Sequence, residues 1–177
     1  MDLFEVIKKR RSIRSFKREP VKNEDLKLIL ESARLAPSGH NNQPWRFIVV
    51  RDLETKKKLS IASYNQHFIA DADVVVVALG ETARFKSKTS STRVPYLQDP
   101  MIAVEHMVLA AAALGYGTCW IGAFNEAEVK QILKIPEKFV VIALLPIGVP
   151  AENPPQRPRK PFNEIFYKES FGIPLEL

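Results

Sequence analysis

The sequence is poor in cysteine, histidine and glycine, with one, three and seven of these residues among 177. A single cysteine, Cys119, cannot form an internal disulfide or a cysteine-ligated metal cluster. The histidines at 40, 67 and 106 are scattered, and no nucleophile or metal-ligand spacing connects them. The glycine fingerprint of a dinucleotide-binding strand–turn–helix unit is missing as well. We therefore expect no metal site, no catalytic triad and no Rossmann-type NAD site.

Long apolar segments are also missing. The longest strongly apolar runs, at 74–79, 107–114 and 139–147, are far shorter than the roughly 18 residues that span a membrane. The N-terminal segment has no basic start followed by a long apolar stretch, so no secretory signal is expected. With 46% hydrophobic residues, the chain can bury one sizeable core. These features predict a cytoplasmic protein with a single domain over residues 1–177 and no membrane partner.

Positive charge is in excess, at a net +6, which makes nucleic-acid binding a function to consider. The basic residues collect at 8–18, 56–58 and 157–160. None of these clusters has the interleaved aromatics, helix-turn-helix pattern or zinc spacing of nucleic-acid-binding modules. A phosphate-bearing cofactor accounts better for the first and third clusters, and we interpret 56–58 as a solvated helix face. A non-enzymatic nucleic-acid-binding protein remains the less favoured alternative.

The first of two polar motifs is Arg-Arg-Ser-Ile-Arg-Ser-Phe at 10–16. Guanidinium forks pair with phosphate oxygens, and hydroxyls can complete the shell around an anion. If a helix ends at Arg10 and the chain then runs extended, Arg10, Ser12 and Arg14 project to the same side. The motif therefore predicts an anion site, with a solvated basic run as the alternative.

The second motif is Ala-Pro-Ser-Gly-His-Asn-Asn-Gln-Pro-Trp at 36–45. Its amides, hydroxyl and proline-restrained backbone suit hydrogen bonding to the edge of a flat heteroaromatic ligand. The same residue types also build ordinary turns, so a structural loop is the alternative.

Periodicity, caps and breakers predict alternating helices and strands. The strand at 73–79 is almost wholly apolar and is expected at the centre of the sheet. The polar segment 80–98 is predicted to be an excursion or lid, and Asp99-Pro100 to be the start of the longest helix. The other predicted helices begin at Asn23 and are stopped by Pro37, or span 53–62 and 125–133. The other predicted strands are 45–51, 116–121 and 139–147, followed by an extended proline-rich stretch at 150–161 and a short helix to 167.

The two motifs, in this order, resemble the flavin-dependent nitroreductase family. The resemblance continues through Ala-Asp-Ala-Asp at 70–73, Ala-Leu-Gly-Tyr-Gly-Thr-Cys-Trp-Ile-Gly at 113–122 and Pro-Ile-Gly-Val-Pro at 146–150. It implies an α+β fold with a central mixed, mainly antiparallel sheet flanked by helices. It also implies a homodimer whose C-terminal extension wraps the partner subunit, with FMN at the subunit interface and NADH or NADPH as the electron donor.

The resemblance assigns cofactor-binding roles residue by residue, and no catalytic residue apart from the flavin. Arg10 and Ser12, supported by Arg11, would meet the phosphate or ribityl chain, and Arg14 the pyrimidine edge of the ring. The other subunit would contribute Pro37, Ser38, Gly39 and Asn41. Asn65, or else Gln66, would contact the ring edge, and Gly122 and Ala123 would lie near N5. Arg159 and Lys160 would contact the phosphate. For Arg157, a solvated surface role is equally compatible with the resemblance.

The implied activity is ping-pong transfer of two electrons from NAD(P)H through the flavin to a nitroaromatic, a quinone or a similar small acceptor. Reductive dehalogenation or flavin cleavage on the same scaffold is the alternative. Gly122-Ala123 replaces the Glu-Gly pair of some family members, and Phe68 replaces a lysine. The physiological acceptor, the nicotinamide preference, the role of 80–98 and a contact of His40 with flavin or substrate stay open.

Overall fold

The structure is a computed structural model that describes residues 2–82 and 95–176. Helices and strands alternate along most of this part of the chain. In order they are α1 (Leu3–Lys9), α2 (Asn23–Arg34), β1 (Trp45–Val50), α3 (Leu53–Ala62), α4 (Phe68–Asp71), β2 (Val74–Glu81), α5 (Pro95–Ala113), β3 (Gly117–Thr118), α6 (Glu126–Leu133) and β4 (Phe139–Gly148), with short 3-10 turns at Gly39–Asn41 and Phe162–Glu164.

The four strands form one antiparallel sheet in the order β1-β2-β4-β3. All eight residues of β2 are buried, which confirms the expected sheet centre. A single parallel bridge joins Ser12 to Thr118 at the β3 edge. The predicted α+β class with a mainly antiparallel sheet is therefore confirmed.

Each face of the sheet is covered by its own core. Alternate side chains of β2 point to opposite faces, because side chains alternate along a strand. Val74 and Val76 pack in the cluster that includes residues of α2 and α5. Val75 and Val77 pack in the cluster that includes residues of α3 and α6. Residues 74–79 of the central strand are all apolar, as expected for a strand with both faces covered.

The predicted excursion at 80–98 is wrong at both of its ends. β2 continues through Gly80 and Glu81, which pair with β4. Helix α5 already includes Pro95, so Asp99 lies inside the helix and does not cap it. The rest of that prediction, residues 83–94, lies outside the described residues.

Helix α5 begins against the central strand at a point where there is no room for a side chain. A Cβ on Gly80 would lie 1.8 Å from the Tyr96 carbonyl oxygen. Pro100 has no N–H to donate to that carbonyl four residues earlier, so the helix bond that would normally engage it is missing. Gly80 therefore allows the backbone of α5 to contact the backbone of β2 directly.

Three further differences concern the ends of elements and one side chain. β3 is shorter than predicted, and Ile121 rejoins the sheet only through a bridge to Leu144. The predicted terminal helix is a single 3-10 turn. Lys56, which was expected on a solvated face, is only 6% exposed. Its ammonium donates to the Ala72 carbonyl and, at 3.1 Å, to the Asp73 carbonyl, so a buried charge has backbone partners.

Candidate functional site

The arginine motif and the proline-rich stretch meet in one cavity of about 180 Å³. Helix α1 ends as predicted, with Arg10 as its C-cap, and the chain then runs extended past β3. The Ile13 N–H donates to the Thr118 carbonyl at 2.8 Å and fixes this course. The residues that line the cavity are Arg10, Arg11, Ser12, Arg14, Pro154, Pro155, Gln156, Arg157 and Arg159.

Two backbone and one side-chain contact hold the proline-rich stretch beside the motif. The Lys17 N–H donates to the Val149 carbonyl at 2.9 Å, and the Ala151 N–H donates to the Ser15 carbonyl at 2.9 Å. The Glu152 carboxylate accepts the Arg14 backbone N–H. These contacts within one chain bring Arg157 and Arg159 to the cavity.

We name the five guanidiniums that line this cavity, at 10, 11, 14, 157 and 159, the arginine wall. None of them forms a salt bridge with a carboxylate of residues 2–82 or 95–176. Arg11 donates to the Lys8 and Arg10 carbonyls at 2.7 and 2.8 Å, and Arg159 donates to the Arg157 carbonyl at 3.0 Å. Such a concentration of positive charge, with no carboxylate partner in the described part of the chain, suits an anion with several oxygens, such as phosphate.

Cys119 lies buried beside the arginine wall, with 2% of its surface exposed. Burial raises the pKa of its thiol, and the guanidinium of Arg14 opposes part of that rise. The thiol is therefore protonated at neutral pH, which makes it a poor nucleophile or metal ligand.

The second motif forms a tight loop, which we name the amide loop (residues 37–43). It lines no part of the arginine-wall cavity of its own chain. His40, Asn41 and Gln43 have positive φ angles of 51°, 55° and 47°. The Ser38 hydroxyl accepts the Gln43 N–H at 3.0 Å, and the Gly39 N–H donates to Asp99 Oδ2 at 3.1 Å. The loop thus has a defined and unusual backbone shape, which the turn-forming composition alone did not predict.

The remaining predicted residues lie in two places. Gln66 donates to the Ala123 carbonyl at 3.2 Å, which connects the segment of Asn65 to that of Gly122 and Ala123. Asn65 has a positive φ of 61°, and its side chain is exposed. Lys160 is exposed and does not line the arginine-wall cavity. The sequence alone does not decide the role of Arg157 or indicate Gln156 and Glu152, because only the folded course of the proline-rich stretch brings them to the motif.

Two kinds of feature are missing from the part of the chain that the structure describes. No three or more His, Cys, Asp and Glu side chains are grouped so that they could hold a metal ion. Across 2–82 and 95–176, no helix has the length and apolarity to cross a membrane.

Comparison with known proteins gives a consistent result. The model of the nitroreductase family matches residues 7–66 and 56–149. A Bacillus subtilis protein named FMN reductase [NAD(P)H] is 34% identical over 176 residues, covering 91% of this chain and 71% of that protein. The crystal structure of a nitroreductase family protein from Clostridium novyi has 37% identity and a TM-score of 0.80, covering 98% of this chain and 97% of that one. An FMN-dependent nitroreductase from Clostridium difficile has 28% identity and a TM-score of 0.84, covering 95% and 99%.

The fold and these matches define an oxidoreductase. The chain belongs to the nitroreductase family.

Proposed function

We propose that this protein is an FMN-dependent NAD(P)H oxidoreductase that passes two electrons, by a ping-pong mechanism, to a nitroaromatic, a quinone or a similar small acceptor. The single observation that carries the proposal is the arginine wall, because its guanidiniums, which have no carboxylate partner among the described residues, line a cavity of about 180 Å³ together with Ser12. The names of the Bacillus subtilis and Clostridium difficile relatives support the cofactor. Bound FMN supplies the redox chemistry, accepting and releasing a hydride equivalent.

The side chains of the arginine wall have separate tasks in this proposal. Arg10, Arg11, Ser12 and Arg159 bind the phosphate or the ribityl chain, and Arg157 joins them because it lines the same cavity. Arg14 is assigned to the pyrimidine edge of the ring, where a fixed positive charge stabilises the negative charge of a reduced flavin. Lys160 remains assigned to the phosphate, as a contact from the exposed side of the site.

The rest of the site is assigned to the ring. Pro37, Ser38, Gly39 and Asn41 bind the flavin of the other subunit, and Asn65 contacts the ring edge. Gly122 and Ala123, both exposed, border N5 and leave space there for the nicotinamide and then for the acceptor. In this arrangement the protein binds and orients the reactants, and residues 1–177 act as one domain.

A homodimer is part of the proposal, because one chain offers only part of a flavin site. A cavity of about 180 Å³ is smaller than the roughly 300–1,000 Å³ of common small-molecule sites. The amide loop lies elsewhere on the chain. Large apolar side chains are exposed on α1 and on the C-terminal segment, with Phe171 89% exposed, which favours a partner that covers them. They are Leu3, Phe4, Ile7, Phe162, Ile165, Phe166, Phe171 and Ile173.

An absorbance spectrum of the purified protein, before and after anaerobic addition of NADH or NADPH, tests the function. We expect flavin absorbance that bleaches with the donor and returns when a nitrofuran or quinone is added. The protein should sediment at about twice its chain mass. A protein that stays colourless after incubation with FMN, or a well-behaved monomer that holds FMN, would contradict the proposal.

A further inference from the structure

We infer that Asp99 is a positioning residue that holds the amide loop in its flavin-binding shape. The inference rests on the proposed function, since the loop is assigned there to the cofactor. Asp99 lies in the first turns of α5, and its Oδ2 accepts the Gly39 N–H at 3.1 Å. The residue is 8% exposed, so its carboxylate is directed into the fold.

The amide loop needs such a support because its backbone is costly. Residues other than glycine seldom adopt positive φ, and they keep it only where the surroundings determine it. His40, Asn41 and Gln43 all have it within four positions. Bonds inside the loop, from Gln43 to Ser38 and Asn41, close it on itself. Such internal bonds do not orient the loop relative to the sheet.

Among the bonds to the rest of the fold, two that lie at opposite ends of the loop help to set that orientation. At the end of the loop, the Glu81 N–H donates to the Pro44 carbonyl at 2.8 Å, and Trp45 pairs with Gly80. Near its beginning, Gly39 is bonded to Asp99. Both supports belong to the same corner of the core, because the first turn of α5 contacts Gly80.

The chemistry of the bond explains why a carboxylate serves here. Gly39 is exposed, but its N–H donates to a buried carboxylate on a packed helix, which provides an acceptor at a fixed position. The carboxylate also takes the Gly39 N–H out of use for the ligand. The flavin then meets a loop that is already ordered, so binding loses less conformational entropy.

Three variants test the role. Asp99→Ala removes the acceptor, and Asp99→Asn keeps an oxygen that can accept the Gly39 N–H. Asp25→Ala is the matched control, because Asp25 is a partly buried helical carboxylate that accepts the Tyr116 hydroxyl at 2.7 Å, at the far end of α2 from the loop. For each, amide hydrogen exchange of residues 37–45 is measured without flavin, and FMN affinity is measured by quenching of flavin fluorescence.

We expect Asp99→Ala to exchange faster across 37–45 and to bind FMN about tenfold more weakly, which corresponds to one lost hydrogen bond. Asp99→Asn should stay within about threefold of the parent protein in affinity. Asp25→Ala should lower the melting temperature but change neither the exchange of the loop nor the affinity. Unchanged loop exchange or unchanged affinity in Asp99→Ala, or an equal loss of affinity in Asp25→Ala, overturns the inference.

The exchange measurement separates this inference from the proposed function. If the parent protein binds no FMN, the proposed function fails and the flavin-positioning role fails with it. Faster exchange in Asp99→Ala would then still show that Asp99 orders the loop. If the parent protein binds FMN while Asp99→Ala leaves the loop unchanged, only the inference about Asp99 fails.

Discussion

The arginine wall and the amide loop contribute different properties to the proposed site, namely positive charge and a fixed backbone shape. The arginine wall has an ordinary extended backbone and guanidiniums without carboxylate partners among the described residues, so it offers charge. The amide loop has three non-glycine residues at positive φ and bonds to the core, so it offers a fixed shape. Substitutions in the arginine wall should therefore change ligand binding with little loss of stability, and substitutions around the amide loop should change both.

The largest effect on stability is expected at Gly80. This residue of β2 contacts the first turn of α5 and pairs with Trp45 just after the amide loop. In Gly80→Ala, the new Cβ would lie 1.8 Å from the Tyr96 carbonyl oxygen and 3.3 Å from Ile142 Cδ1. Backbone must move to relieve this overlap, so we expect a loss of about 3 kcal/mol or more in the free energy of unfolding, at the upper end for overpacked cores. Chemical denaturation measures it. Gly115→Ala is the control: Gly115 has a φ of 87° and no neighbour within 4 Å, so only the backbone cost of about 1–2 kcal/mol applies. Equal losses in the two variants would contradict the steric explanation.

The next effect concerns the arginine wall alone. Arg10→Ala and Arg14→Ala should each weaken FMN binding about 10- to 100-fold, since a hydrogen bond to a charged group contributes about 1.5–3 kcal/mol. Melting temperatures should stay close to that of the parent protein, because neither guanidinium loses a described salt bridge.

Riboflavin, which lacks the phosphate, distinguishes the two arginines. Arg10→Ala should bind riboflavin as the parent protein does, and Arg14→Ala should bind it more weakly, because Arg14 is assigned to the ring. Lys58→Ala, which removes an exposed positive charge elsewhere, is the control and should leave both affinities unchanged. Equal losses in Lys58→Ala would mean that general positive charge attracts the ligand.

The smallest effect is a pH shift at Cys119. Burial raises the pKa of its thiol, so the reaction with a disulfide reagent should reach half of its maximal rate at a higher pH than in the unfolded chain. Arg14 favours the thiolate, so Arg14→Ala should move that midpoint further upward. Arg18→Ala, an exposed change outside the arginine wall, should leave it in place. A midpoint that does not rise in Arg14→Ala would contradict a stabilisation of the thiolate by Arg14.

The sequence predicted elements best where a local signal and burial agreed. Helix α3 has the predicted bounds, and Asn125 caps α6 by accepting the Glu128 N–H. The strand at the centre of the sheet was evident from its apolar run. Asp99 was misread because Asp-Pro is a common helix start, and the same pair inside a helix looks identical in sequence.

The sequence predicted which types of residue form the candidate site, but it did not predict how those residues are arranged in space. The arginines at 10–14 and those at 157–159 each indicated an anion contact. No local sequence feature shows that the proline-rich stretch returns to the first motif in the fold. Arg157 and Lys160 illustrate this, because only the former lines the cavity. The positive φ angles of the amide loop were not predicted either, since Asn and His tolerate that region without requiring it.

The burial of Lys56 makes the reactivity of its amine depend on whether the chain is folded. Its side chain reaches from α3 to the segment before β2, where the buried ammonium donates to two carbonyls, whereas an unfolded chain presents it to solvent like any other lysine. An acylating reagent should therefore leave Lys56 unmodified in a folded sample and modify it in a denatured one. Once acylated, the side chain is neutral and has lost the ammonium that donates to the two carbonyls, so the modified chain should refold poorly. Whether Lys56 is acylated would thus show whether a given molecule was folded when the reagent was added.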